Sequence, residues 1–147
     1  MSDFAAMNGL YLEDLKVGMS AMFGKTVTEA DIVAYAGVSG DTNPIHLHDG
    51  FARTTRFGQR IAHGMLSGSF ISAVIGTKLP GPGSVYISQT MSFMAPVLIG
   101  ETITAVATVT AIDERRRRVT LKTQCLNGDK VVIDGEAQIL VPRRDAA

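Results

Sequence analysis

Ile61 to Thr77 reads IAHGMLSGSFISAVIGT and contains no Asp, Glu, Lys or Arg; Arg60 and Lys78 bracket it. At 17 residues the run falls just short of a membrane span. Three glycines and three serines interrupt its apolar residues, and it reads as a buried helix over about 63–76. A helix with no charged stripe needs cover on every side. The chain on its C-terminal side can supply that cover, because there the period changes from helical to alternating.

From Val85 the alternation is strict. Val85, Ile87, Met91 and Phe93 share one face, and Tyr86, Ser88, Thr90 and Ser92 the other. Ile103, Ala105, Ala107 and Val109 alternate with Thr102, Thr104, Thr108 and Thr110. Val119, Leu121, Thr123 and Cys125 mark a third strand; Val131, Ile133, Ala137 and Ile139 mark a fourth. Alternation of this kind predicts an antiparallel sheet with one buried face. Asn127-Gly128 signals a hairpin between the last two strands. Helices first and strands after make the fold α+β, with a curved sheet wrapped around the uncharged helix.

On the N-terminal side, residues 1–25 read as irregular apart from a strand near Met19 to Phe23. Thr28 with Asp31 three residues on forms a capping box for a short helix ending near Gly37. Residues 37–46 (GVSGDTNPIH) are turn-rich, and a second short helix runs from Asp49 to Thr54. GPG at 81–83 closes this half. No linker or repeat divides the chain, and 147 residues predict one domain over 1–147 with a core of about 10–142.

Composition removes several function classes. Fourteen basic residues balance fourteen acidic ones, so no field is available to hold a polyanion, and no nucleic-acid partner is expected. Zero net charge also lowers the barrier to self-association. Cys125 is the single cysteine, which excludes a disulfide framework and suits a reducing cytoplasm; in its alternating segment it reads as a core residue. The N-terminal MSDFAAMNGL has neither a basic region nor a long apolar run, so no signal peptide and no membrane partner are expected.

Two segments concentrate chemistry. In Ser39-Gly-Asp41-Thr-Asn43-Pro44-Ile-His46 an acid and an imidazole sit five residues apart across a proline-stiffened turn. Such a pair can orient a water and move a proton near neutral pH. By spacing alone, the reading of Asp41 as a turn cap and His46 as a part-buried histidine outweighs the catalytic one. In His63-Gly64-Met65, at the start of the uncharged helix, free N–H groups favour developing negative charge, and Gly64 leaves them accessible; it also suits simple close packing. A third segment, Arg115-Arg116-Arg117-Arg118, reads as a solvated hairpin tip, with a phosphate clamp as the sharper alternative. Arg53, Arg56 and Arg60 are rival phosphate contacts.

Tyr35-Ala-Gly-Val-Ser-Gly-Asp41-Thr-Asn43-Pro44-Ile-His46, with Ala52 six residues on, resembles the signature of MaoC-like, R-specific enoyl-CoA hydratases (hydratase 2). The resemblance continues through Phe51 to Gly58, Ile61 to Met65, and Gln89, Phe93, Pro96-Val97 and Gly100-Glu101-Thr102. It implies a hotdog fold, a homodimer, and hydration of trans-2-enoyl-CoA to an (R)-3-hydroxyacyl-CoA thioester. Within it Asp41 and His46 match the catalytic pair, Gly64 the oxyanion donor, Ser72 a supporting serine, and Asn43 the position that braces the turn. No cofactor is implied. His48 departs from the family, whose members often carry an acid there; His46 and His48 without a third ligand do not make a zinc site. The rival readings are a dehydratase acting on a carrier-bound or branched hydroxyacyl thioester, a hotdog thioesterase, and a non-catalytic acyl-CoA-binding hotdog subunit. The Asp-x-Asn-Pro-x-His turn argues against the thioesterase, and retention of Asp41 and His46 against the inactive subunit.

Overall fold

The computed structural model describes residues 3–145. Five strands, β1 (Ser20–Thr26), β2 (Val85–Phe93), β3 (Thr102–Asp113), β4 (Arg118–Asn127) and β5 (Lys130–Leu140), form one antiparallel sheet in the order β1-β3-β4-β5-β2. Four helices precede β2: α1 (Glu29–Ser39), α2 (Pro44–Leu47), α3 (Asp49–Arg53) and α4 (Gly64–Thr77). The central helix α4 lies against β1, β3 and β4. This is the α+β hotdog arrangement. Among the described residues no helix is long and apolar enough to cross a membrane.

The core is the meeting of α4 with the alternating face of the sheet. Leu66, Phe70, Ile71, Val74 and Ile75 are buried from the helix side; Ile103, Ala105, Ala107, Val109, Val119, Leu121, Cys125, Ala137 and Ile139 are buried from the sheet side. Each large aliphatic or aromatic side chain removed from water in this way contributes about 1.5–3 kcal/mol. Small Ala residues on β3 let the helix approach closely.

Local signals act as expected at several points. Thr28 caps α1 through a hydrogen bond from the Asp31 N–H (3.2 Å), and the Asp31 carboxylate accepts from the Thr28 N–H (2.9 Å). Gly128, at φ +60°, turns the β4–β5 hairpin.

Five details differ from the sequence reading. The helix α1 passes through Gly37 and ends at Gly40, whose φ of +78° gives the left-handed cap. The turn-rich segment contains the single helical turn α2, for which Pro44 at N1 is pre-organised. The irregular first 25 residues include two short 3₁₀ turns, Phe4–Met7 and Leu12–Asp14. On β5 the register shifts so that Cys125 faces Ile133 and Leu126 faces Val131. This bulge puts Val132 into the core in place of Val131, because one extra residue reverses the alternation. Lastly, α4 is not covered on every side. Met65, Ser69, Ser72 and Gly76 form an exposed stripe, and the edge strand β2 is largely exposed on both faces.

Candidate active site

The turn between α1 and α2 and the start of α4 meet at one cavity of about 440 Å³. Asp41, His46, His63, Gly64 and Ser67 line its polar part, and Phe57, Phe93, Met94, Val97 and Ile133 much of its apolar part.

Short-range hydrogen bonds shape the turn. The Asp41 N–H donates to Ser39 Oγ (3.1 Å), and the Asn43 N–H donates to Asp41 Oδ1 (3.2 Å). Asn43 Oδ1 accepts from the Ile45 N–H (3.0 Å), so Asn43 caps the turn of helix that carries His46. Arg60 ties the outside of this region together. Its guanidinium donates to Glu29 (2.8 and 3.0 Å), to Asp49 (2.7 Å) and to the His46 carbonyl (3.4 Å). Both carboxylates hold the Arg60 pKa above its ordinary value.

His46 is 8% exposed, and its Nδ1 lies 2.8 Å from the Ile61 carbonyl oxygen. A carbonyl only accepts, so Nδ1 carries the hydrogen and Nε2 is bare. Burial pushes the His46 imidazole below its ordinary value and the neighbouring His63 adds to this, against opposing pulls from the Ile61 carbonyl and Asp41. Nε2 lies 3.9 Å from Asp41 Oδ2, too far for a direct hydrogen bond. A water donating one O–H to each of two acceptors separates them by about 4.4 Å at ordinary hydrogen-bond lengths. The gap between the two groups falls about half an ångström short of that separation.

Gly64 forms the facing wall. It is the first residue of α4 and no side chain caps that end; the Leu66 N–H bonds back to the His63 carbonyl (3.1 Å), and the N–H groups of Gly64 and Met65 precede any helical acceptor. Both readings of Gly64 find support. It lines the cavity, and a Cβ there would stand 2.7 Å from the Phe93 ring. Ser72 is not brought to this cavity. It lies two turns along α4 on the exposed stripe.

Two residues of the cavity were missed as site residues in the sequence. In the sequence His63 reads only as the neighbour of Gly64, and Ser67 only as one of three helix serines. Both are buried, and His63 Nδ1 and Ser67 Oγ are without hydrogen-bond partners. Their spacing of four on one helix face was the available signal. His63 also supplies a third donor near Asp41 and His46, with ligand atoms within 4.8 Å of one another. The two imidazoles are stacked, however, with centroids 3.8 Å apart and planes at 28°. In-plane lone pairs of stacked rings run nearly side by side and do not converge on one ion at about 2.0–2.1 Å.

His48 is exposed and accepts from the Phe51 N–H (2.9 Å), capping α3. Cys125 donates its thiol to the Ser67 carbonyl (3.3 Å), and burial pushes its pKa up to about 12, which leaves it a core residue. Among the three rival arginines, Arg60 is committed to carboxylates, and Arg56 alone lines the cavity. The Arg115–Arg118 tip is remote from the site within the chain. Arg118 pairs with Leu140, seven residues along β5 from Ile133, or about 24 Å at strand rise.

The family profile described as MaoC like domain matches residues 15–129. The chain belongs to the MaoC-like family. This MaoC-like chain is 54% identical over 134 residues to the (R)-specific enoyl-CoA hydratase of Rhodospirillum rubrum, covering 91% of this chain and 93% of that protein. It is 49% identical over 138 residues to the 3-hydroxybutyryl-CoA dehydratase of Methylorubrum extorquens, covering 94% and 88%. Among solved structures, an unliganded R-hydratase of Pseudomonas aeruginosa superposes with a TM-score of 0.87 at 42% identity, covering 94% of this chain and 89% of that one.

Proposed function

We propose that this MaoC-like hydro-lyase adds water to trans-2-enoyl-CoA to give (R)-3-hydroxyacyl-CoA, with Asp41 and His46 activating one water. The observation that carries the reading is the bare Nε2 of a buried His46 facing the Asp41 carboxylate across 3.9 Å, opposite the uncapped first turn of α4. Relatives named for hydration of an enoyl-CoA and for dehydration of its product support it, since these are the two directions of one reaction.

The chemistry follows from the parts. The water donates to Asp41 Oδ2 and His46 Nε2, and its oxygen attacks C3 of the enoyl thioester. Nε2 takes the proton as the C3–O bond forms. The π pair moves onto the thioester oxygen as an enolate, where the N–H of Gly64 and the helix dipole stabilise it; one such donor is worth about 3–4 kcal/mol. The enolate collapses as the proton held on Nε2 is returned to C2. A His46 that stays neutral at working pH suits the role of base. Asn43 braces the turn, and Ser72 supports the site only if a second chain carries it there.

We further propose a homodimer. The free edge of β2 exposes Val85, Ile87 and Phe93, and Met94 and Met65 extend the apolar surface beside it. A long, unpaired strand edge of this kind invites pairing with another copy.

The test is the absorbance of the enoyl-thioester band on adding the protein to crotonyl-CoA. Loss of the band without release of free thiol supports hydration. Thiol release would make the protein a thioesterase, and an unchanged band would leave the acyl-CoA-binding subunit or the dehydratase of carrier-bound or branched thioesters.

A further inference from the structure

His63 is placed against both members of the proposed pair at once. Its Nε2 lies 2.9 Å from the Asp41 carbonyl oxygen, and its ring lies flat beneath His46 at 3.8 Å. The edge of Tyr35 closes the other side at 4.8 Å and 62°. His63 is 2% exposed, which is more complete burial than that of His46 itself.

We infer that His63 is a positioning residue of this site: its ring sets the plane of His46, and its Nε2–H holds the backbone of Asp41, so that one side chain fixes the separation of the pair. The inference rests on the hydration reading above. The hydrogen on His63 follows from its partners. Nε2 faces a carbonyl and must donate, while Nδ1 is buried with no partner. A hydrogen on Nδ1 as well would be a buried, unpaired donor, which is costly. The ring thus lies beneath the base with its hydrogen on Nε2. The groups that face it are Tyr35 from α1, Asp41 from the turn and His46 from α2; Arg56 lines the same cavity, and Arg60 reaches the His46 carbonyl. Asp41 and His63 are 22 residues apart, so the contact clamps the turn to the N-terminus of α4. It thereby sets the water's distance from the Gly64 N–H as well as its orientation.

Two variants separate the two contacts. His63→Phe keeps a ring beneath His46 and removes the bond to Asp41. His63→Gln keeps a donor that can reach the Asp41 carbonyl and removes the ring. Small displacements of reacting groups can cost about 10²-fold. The phenylalanine variant is therefore expected to lose at least about tenfold in kcat on crotonyl-CoA, with KM changed by less than about threefold. In the glutamine variant solvent reaches His46, and the acidic limb of kcat/KM moves to higher pH. A melting temperature that falls while kcat and the acidic limb stay at wild-type values in both variants overturns the inference. ¹⁵N NMR of the wild-type imidazoles tests it without any substitution. His63 is expected with hydrogen on Nε2 alone and His46 with hydrogen on Nδ1 alone; a His63 carrying hydrogen on Nδ1 contradicts the arrangement. Wild-type turnover of crotonyl-CoA in the same assay tells the two failures apart. An inactive wild type removes the hydration reading, and an active wild type with indifferent His63 variants removes only this inference.

Discussion

At His46 the two ring nitrogens face different surroundings, and the activity should report that difference. Asp41→Asn keeps the size of the side chain and removes its charge. His46→Gln keeps polarity and removes the titrating ring. Each is expected to lower turnover of crotonyl-CoA by about a hundredfold or more, the scale of general acid–base contributions. Near wild-type turnover in either variant, folded by circular dichroism, removes its assigned role. The pH profile follows from the same ring. Burial lowers the His46 value below 6.5, so the base stays unprotonated as pH falls past 6.5 and is lost only further down. The kcat/KM of the wild type should therefore hold at pH 6.5 and decline on an acidic limb centred below it; a limb centred above 6.5 contradicts the assignment. Asp41 and His46 share one six-residue stretch of sequence, yet spacing alone favours a turn cap and a part-buried histidine; it is the resemblance that assigns them as the pair. For His63 and Ser67 the sequence offers only a spacing of four, because their burial, and the contacts of His63 with Asp41 and His46, arise only when α4 packs beneath that turn. Ser72 followed from resemblance alone, and within one chain the helix turns it away from the cavity.

The helices that carry the pair are short, and α2 and α3 have four and five residues. Helices of that length do not hold themselves, so their position depends on tertiary ties. Arg60 supplies several of these through Glu29, Asp49 and the His46 carbonyl. Its ion pairs reach exposed carboxylates and add little to global stability. We therefore predict that Arg60→Ala lowers kcat/KM by about tenfold, as expected for a displaced catalytic group, while melting shifts by no more than a few degrees. Equal wild-type kcat/KM would show that the turn holds without the clamp. The same scale explains which elements the sequence conveyed. Alternation located β3 and β4 faithfully because their buried faces pack on α4. It misjudged β5 at one position, since a bulge at Val132 leaves no mark in the pattern. It misjudged β2 for another reason. Alternating apolar residues report a face that is to be covered, and among the described residues Met91 and Phe93 meet α4 at Gly68 and Gly64 while Val85 and Ile87 stay exposed. Gly37 and Gly40 are equally good stop signals locally; the turn to Asp41 decides between them.

Across the whole molecule, the exposed stripe of α4, the bare edge of β2 and zero net charge point the same way. A homodimer is expected at micromolar concentration, and light scattering should give about twice 15.6 kDa; a mass of 15.6 kDa across a dilution series rejects it. The arginine hairpin, about 24 Å from the cavity along the strands, then either points to solvent or meets the second copy. The central claim is that one water, gripped by Asp41 and His46, reacts with an enoyl thioester whose oxygen is held at Gly64. That geometry exposes a single face of the flat substrate to the turn. Hydration of crotonyl-CoA in deuterium oxide tests it most directly, with the product resolved by an S-specific 3-hydroxyacyl-CoA dehydrogenase and the C2 deuterium placed by NMR. The account predicts a product that this dehydrogenase leaves untouched, with deuterium at C2 on the same face as the C3 hydroxyl. Ready oxidation by the S-specific enzyme, or deuterium on the opposite face, would contradict it.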